Sequence, residues 1–343
     1  MRKLLNTLFI LTKDSYLTLE GENVVVLQGE ETLGRFPLHT LENILCFSYK
    51  GASPALMGGC ARRNVSLCFL TPNGRFLARV SGETRGNVLL RKEQYRRSDC
   101  REQSCVLARS FLIGKVYNCR SVLERAVRDH GMRVDASSLK QVSNLLATAL
   151  SNLADCVSLE RLLGLEGESA AAYFGVFDEL VLQNQEAFRF QERSRRPPLN
   201  PMNALLSFVY TLLAHDCASA LEAVGLDPHV GFLHQDRPGR TSLALDLMEE
   251  LRPLLADRFV LTLVNNRMVH PNDFDQQENG AVLLNESGKK VVLSAWQERK
   301  REVITHPFLQ EKLPWGLVPY VQALLLARHL RDDLDAYPPF LWK

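Results

Sequence analysis

Residues 225–253, GLDPHVGFLHQDRPGRTSLALDLMEELRP, hold two acids and an imidazole at a spacing that can do metal chemistry. Asp246 and Glu249 are three residues apart, so on a helix they fall side by side. Adjacent carboxylates repel unless a positive charge sits between them. His234, in the loop ahead of that helix, can bring a third donor to the same point. Carboxylate oxygens with one imidazole suit a hard divalent ion. The plainer reading of two acids on a helix flank is a solvated face, and a single loop histidine adds little against it.

A second stretch shifts the balance. In residues 159–177, LERLLGLEGESAAAYFGVF, the positions Leu159, Leu162, Leu163, Ala170, Tyr173, Phe174 and Phe177 recur at helical spacing as one apolar stripe. Glu166 falls inside the stripe, where the pattern calls for a leucine. A carboxylate turned toward a core is costly unless it is paired, protonated or bound to a metal. Gly164 and Gly167 flank it, each weakening the helix by roughly 1 kcal/mol relative to alanine. They would let a backbone or a ligand come close. The competing reading is a structural salt bridge from Glu166 to a core arginine.

The elements that must hold these groups are legible. Asp227-Pro228, Gly231, Pro238 and Gly239 resist regular structure and define a loop carrying His234. Thr241 or Ser242 caps a helix running to about Arg252, with Leu243, Leu247, Leu251 and Leu254 as its core-facing stripe.

With these residues in view, the chain resembles the CRISPR-associated integrase family, the Cas-one subunit of the spacer-acquisition complex, over essentially its whole length. LLGLEGESAAAYF and the 225–253 stretch carry the resemblance. The segments LLNTLFILTKDSYLTLEGENVVV and GRFPLHTLENILCF and the terminal YPPFLWK are similar to the type I-C branch. In that family a Glu in an L-E-G motif, a His in G-F-L-H and an acid in D-L-x-E bind the catalytic metal. The matching residues are Glu166, His234 and Glu249, with Asp246 as the accompanying acid of the motif. Glu250 follows directly, and geometry alone leaves it open beside Glu249.

Length and composition agree with such an enzyme without demanding it. The 343 residues suffice for a substantial core and two domains, with 46% hydrophobic and 23% charged residues. The expected fold is α+β: a small N-terminal β-sheet domain over 1–86 for dimerisation and positioning, then a larger all-α metal-dependent catalytic domain over 87–343. A net charge of +2 is too mild to announce a nucleic-acid binder, so DNA contacts must come from local basic patches. Candidates are Arg237, Arg240 and Arg252 around the motif, and Arg195 and Arg196 in a proline-bearing break, 193–198, expected to be a mobile loop. Arg91, Lys92, Arg96 and Arg97, then Arg120, Arg125, Arg128 and Arg133 on a long helix, and Arg299 to Arg301, are further phosphate-neutralising sets. Ordinary solvated helix faces are the plain alternative for each.

Eight cysteines without a C-x-x-C pair signal neither zinc nor a thioredoxin-like motif, and they suit a reducing cytoplasm. MRKLLNTLFILTKD is interrupted by Asn6 and Thr7 and reads as a first strand rather than a secretion signal. No run approaches the roughly 18–20 apolar residues of a membrane span. In the β region, 16–19 and 24–27 flank a turn at 20–23, and Asn73-Gly74 marks a second hairpin. A short helix is expected over 53–63, and an amphipathic one over 314–335. His306 and His329 are read as exposed. The aromatic tail, Tyr337 to Trp342, either folds back or docks on a partner.

The expected activity is integration of short foreign DNA into a CRISPR array, by attack of a 3′-hydroxyl on a repeat phosphodiester with Mg²⁺ or Mn²⁺. The chain has no G-x-x-x-x-G-K loop, and transesterification needs no nucleotide fuel. The resemblance implies homodimers bridged by the small Cas-two partner on double-stranded DNA, both spacer precursor and repeat, with no membrane. A metal-dependent nuclease that only cuts branched DNA, and a non-catalytic DNA-binding scaffold, are the alternatives.

Overall fold

The computed structural model describes residues 6–72, 76–80, 82 and 87–342. The Asn73-Gly74 turn and the expected boundary at residue 86 lie outside them. The chain divides into two compact units, one of Met1–Arg85 with Leu284–Arg301, the other of Gly86–Leu283 with Glu302–Lys343. A late helix thus clusters with the N-terminal strands, so the division is not one cut in the chain. Together the units make an α+β protein, β-rich first and mostly helical after.

The first unit begins with strands β1 (Thr7–Ile10), β2 (Ser15–Glu20), β3 (Asn23–Gln28), β4 (Glu31–Pro37) and β5 (Asn43–Cys46). β2 alternates buried Ser15 and Leu17 with exposed Tyr16, the period-two pattern of a half-buried strand. It pairs antiparallel with β3, closing at Glu20 opposite Asn23, and Gly21 supplies the positive φ of 56° that the tight turn requires. β4 completes this three-stranded sheet. β5 lies parallel to β1, and helix α1 (Pro54–Arg63) carries the chain over to β6 (Ser66–Leu70), parallel to β5. Ser53 caps α1 by accepting from the Leu56 N–H, Pro54 opens it, and Asn64 closes it in the left-handed region. β7 (Phe76–Val80) finishes the second sheet antiparallel to β6. Leu17, Val24, Ile44, Leu56 and Leu67 form the core between these elements.

The second unit is built on helices α2 (Val88–Asp99), α3 (Arg101–His130), α4 (Ala136–Ala154), α5 (Leu159–Gly175), α6 (Pro201–Val224) and α7 (Ser242–Leu251). α3, 30 residues and so about 45 Å long, packs against α4, α5 and α7. The caps follow the sequence closely. Asp135 opens α4, Ser158 opens α5, and Asn200 with Pro201 opens α6. Gly225 closes α6 at φ 87°, where an added Cβ would also lie 2.6 Å from the Asn87 amide nitrogen.

Helix α6 is long and apolar enough to cross a membrane by length and composition, contrary to the expectation that no run would be. Most of its apolar window is buried inside the protein, as in a core helix. Past Arg252 the chain does not stop. Pro253 has no N–H to give to the Glu249 carbonyl, and the register widens into a π-turn over Arg252–Asp257 that feeds α8 (Arg258–Asn265). The hairpin of β8 (Phe274–Gln276) and β9 (Val282–Leu284) follows, then α9 (Glu286–Arg301), strands β10 (Val303–Thr305) and β11 (Lys312–Pro314), and α10 (Val318–Leu330). α10 is shorter than the expected 314–335 helix.

Candidate metal centre

The second unit brings Glu166 from α5, Asp246 and Glu249 from α7, and His234 from the preceding loop into one neighbourhood. α7 is not the half-solvated helix that paired acids suggest: Asp246, Glu249 and Glu250 are all buried. Each acid must therefore be met by something in the fold, and each is met differently.

Asp246 clamps the loop. Its Oδ2 accepts the N–H groups of Phe232 (2.7 Å) and Leu233 (3.0 Å), and its Oδ1 accepts the His234 N–H at 3.0 Å. The same Oδ1 lies 2.6 Å from His234 Nδ1. Four contacts match the acceptor capacity of a carboxylate, so Asp246 holds the loop and orients the histidine. A carboxylate can only accept here, so Nδ1 carries the proton and Nε2 keeps a free lone pair. That Nε2 faces Glu249 Oε1 at 3.8 Å. Gly231 makes the clamp possible, because a Cβ there would stand 2.8 Å from Ser242 Cβ and 2.9 Å from Asp246 Oδ2. Gln94, fully buried on α2, pins the other end of the loop. Its amide gives to the carbonyls of Asp227 (2.8 Å) and Val230 (2.9 Å) and accepts from the Asp227 N–H.

Glu249 meets two cations. Arg252 approaches its two oxygens at 3.1 and 3.2 Å, and Lys115 Nζ, from α3, lies 2.8 Å from Oε2. Burial alone would raise this carboxyl; the Arg252 and Lys115 charges overcome it and bring it down to about 2. The same Lys115 ammonium is in direct contact with Glu166 Oε1. Burial works against the lysine's charge, but Glu249 and Glu166 more than offset that and hold it above the ordinary lysine value. Lys115 was not among the residues singled out from sequence. Its signal was there: FLIGKVYNC places one lysine in an otherwise apolar turn of α3, the counterpart of Glu166 in its own stripe.

Glu250 turns the other way. Its carboxylate accepts from the Phe340 N–H (2.8 Å), from Gln322 Nε2 (2.9 Å) and from the Tyr337 hydroxyl. Burial pushes it up to about 7 despite these bonds. Of Glu249 and Glu250, open on spacing alone, Glu249 is the one that faces Lys115 and His234. The aromatic tail folds back: Tyr337 and Phe340 are buried, and Asn118 binds the carbonyls of Glu250 and Phe340, both at 2.7 Å, and the Trp342 N–H at 3.0 Å. His306, expected to be exposed, is fully buried in the same network. It accepts from the Leu309 N–H at Nδ1 and so donates from Nε2 to Gln322 at 3.1 Å. His329 is buried as well, with Nδ1 3.0 Å from the Leu334 carbonyl.

The arginines sort just as clearly. Arg252 is spent on Glu249, with its guanidinium 4.9 Å from the Tyr210 ring centre, so it shapes the centre and is not an outward phosphate contact. Arg193 takes the other contact with that ring at 5.3 Å and binds Asn203 and Ser207, which ties the start of the 193–198 break to α6. Tyr210 in turn donates to Asp257 at 2.6 Å. Arg195, Arg196 and Arg237 are exposed and Arg240 is half-buried. Arg97 is paired with Glu93 and Asp332, Lys300 is buried, and Arg133 lies in the turn after α3, where it binds the Leu182 carbonyl. Among the described residues, apart from the chain neighbours of each glycine and the adjoining backbone of α5, no atom lies within 4 Å of where a Cβ on Gly164 or Gly167 would stand, so no other element's backbone comes close at either glycine.

As they stand, no three His, Cys, Asp or Glu side chains among the described residues are gathered closely enough to hold a metal ion. The donor chemistry nevertheless fits one. Two carboxylates on different helices already share a single cation, the Lys115 ammonium, and an oriented imidazole nitrogen faces one of them. Oxygen donors with one nitrogen are the set expected for Mg²⁺ or Mn²⁺.

Comparison with known proteins agrees with the fold and the family. Residues 8–298 match the family model described as CRISPR associated protein Cas1. In solved structures the fold recurs in a casposase bound to integration product, at TM-score 0.83 and 23% identity over 98% of this chain and 93% of that one. A Cas1 protein from Thermotoga maritima shares it at TM-score 0.80 and 22% identity, covering 95% and 97% of the two chains. A Cas6-RT-Cas1–Cas2 complex matches at TM-score 0.83 and 20% identity, over 98% of this chain and 36% of that one. A relative named CRISPR-associated endonuclease Cas1 1, from Chlorobaculum tepidum, is 50% identical over 343 residues and the full length of both chains. Another, CRISPR-associated endonuclease Cas1 2 from Rhodospirillum rubrum, is 52% identical over 347 residues, again at full length. The chain therefore belongs to the Cas1 family of CRISPR-associated endonucleases.

Proposed function

We propose that the protein is a divalent-metal-dependent DNA integrase and endonuclease that inserts short double-stranded fragments as spacers into a CRISPR array. The observation that carries this reading is the single cation position shared by Glu166 and Glu249, with His234 Nε2 turned toward it. Glu166, His234 and Glu249 would hold Mg²⁺ or Mn²⁺, which when bound polarises a phosphodiester and offsets charge on the attacking and leaving oxygens. Asp246 keeps His234 in the tautomer that leaves Nε2 available, and Arg252 keeps Glu249 ionised and fixed. In the reaction a fragment's 3′-hydroxyl attacks a repeat phosphorus. One P–O bond forms, the repeat strand's own P–O3′ bond breaks, and the proton leaves the attacking hydroxyl. One bond replaces another of the same kind, so no nucleotide is consumed. Exposed Arg195, Arg196 and Arg237, with Arg240, would contact DNA backbone without reading bases.

The likeness to a Cas1–Cas2 complex supports the small Cas2 protein as partner, and the β-rich N-terminal part is assigned to homodimerisation and positioning. The eight cysteines are free thiols, which accords with a reducing cytoplasm. The test is strand transfer: a labelled duplex with free 3′ ends, a repeat-bearing plasmid, Cas2, and Mg²⁺ or Mn²⁺, beside Glu166→Ala and an EDTA control. Label joined to plasmid only with metal and intact Glu166 is the expected result. Cutting without joining would replace the proposal with a simple nuclease, and DNA binding with neither would leave a scaffold.

A further inference from the structure

Lys115 poses a physical problem that the proposed reaction does not solve. An ammonium, nearly inaccessible on α3, sits between two carboxylates that arrive on other helices, Glu166 on α5 and Glu249 on α7. Its side chain keeps only 7% of its exposure. A lysine costs several kcal/mol to bury unless it is fully paired, and here its partners are residues with a separate use. The balance of charge bears on that use. Glu166, Asp246 and Glu249 bring three negative charges, and Lys115 and Arg252 two positive ones. Adding a dication beside the lysine would leave a buried excess of positive charge. Exchanging lysine for dication would leave the centre neutral.

We infer that Lys115 is an exchangeable counter-ion, an ammonium that holds Glu166 against Glu249 in the metal-free protein and yields that position when the divalent cation enters. The inference rests on the proposed assignment of Glu166, His234 and Glu249 as ligands. It explains why no three donors among the described residues stand ready to bind: the cluster is closed on its own internal cation. It also names the route. Glu249 retains 4% of its side-chain exposure and Glu166 28%, so entry is from the Glu166 side. Lys115 is a positioning residue in this account. It makes the metal-free state well folded, and it makes the metal displace an existing ion pair.

The test compares the purified full chain with Lys115→Met by thermal unfolding and by calorimetric titration with Mn²⁺, starting from EDTA-stripped protein. Without metal, Lys115→Met is expected to melt well below wild type, because the buried Glu249 carboxylate and the half-buried Glu166 carboxylate then face each other unbridged. With saturating Mn²⁺ most of that gap should close. The variant should also bind Mn²⁺ about tenfold tighter or more, since a charge-assisted contact no longer has to break. If Lys115→Met does not fold without metal, Lys115→Gln carries the same two measurements. An equal loss of melting temperature with and without Mn²⁺, at unchanged or weakened affinity, would overturn the inference and mark Lys115 as a permanent strut. Wild type that binds no Mn²⁺, or binds it as well after Glu166→Ala, would overturn the ligand assignment and this inference with it.

Discussion

Replacing Glu250 by glutamine should change how the protein's stability depends on pH, and by an amount the structure sets. The carboxyl is fully buried, and burial raises it from 4.5 to about 7 although Tyr337, Gln322 and the Phe340 N–H all donate to it. A shift of that size corresponds to about 3 kcal/mol between the two protonation states. The sign follows from linkage. The folded value is the higher one, so the folded chain binds more protons than the unfolded chain between 4.5 and about 7. The carboxyl's contribution is therefore fully present below 4.5 and is lost as pH rises through about 7. Glutamine has the same shape and never ionises. Urea unfolding in EDTA from pH 4.5 to 8 should show wild type losing about 3 kcal/mol that Glu250→Gln keeps. Asp257, pushed up to about 6 by burial, declines in an overlapping window but does so in both proteins. Parallel profiles for wild type and Glu250→Gln would refute the reasoning. They would mean that its three donors, not burial, govern this carboxyl.

Asp246→Asn should leave the fold standing and damage the centre, because an amide no longer forces the proton onto His234 Nδ1. A 10–100-fold loss of Mn²⁺ affinity by calorimetry is expected, and an unchanged affinity would show that the His234 tautomer is fixed elsewhere. Gly114→Ala should cost about 1–3 kcal/mol in urea unfolding. Its Cβ would stand 2.6 Å from Glu250 Cβ and 3.3 Å from Pro339 Cβ, on two sides that are already packed. A neutral Gly114→Ala would show that the tail is free to shift.

Much of the local structure was legible because it depends on neighbours in the chain. The helix expected over 53–63 opens at Ser53-Pro54, since a cap satisfies orphan backbone groups within a few residues. The β2–β3 hairpin and the apolar stripe of α7 follow from periods of two and 3.6 residues in the same way. Glu166 stood out as a charge inside an apolar stripe. Such an anomaly reveals that a partner exists, and it cannot say which one.

Partners were decided in three dimensions. Glu249 and Glu250 are adjacent and chemically alike, yet a turn of about 100° along α7 sends one to Lys115 and Arg252 and the other to the tail. Asp246 read as a possible co-ligand until the loop's three N–H groups and His234 Nδ1 were found to fill its oxygens. Arg252 and Arg193 read as DNA contacts or loop charges until Tyr210 was found between them. His306 read as exposed, and the tail as either folded back or docked on a partner, until Gln322 joined both to Glu250. The sequence by itself determined which stretches are β and which helical, which family the motifs resemble, and which few side chains were worth watching. Tertiary structure alone decided what each of those charges faces. A buried charge takes its energy from groups dozens to hundreds of residues away, and no local spacing encodes that distance.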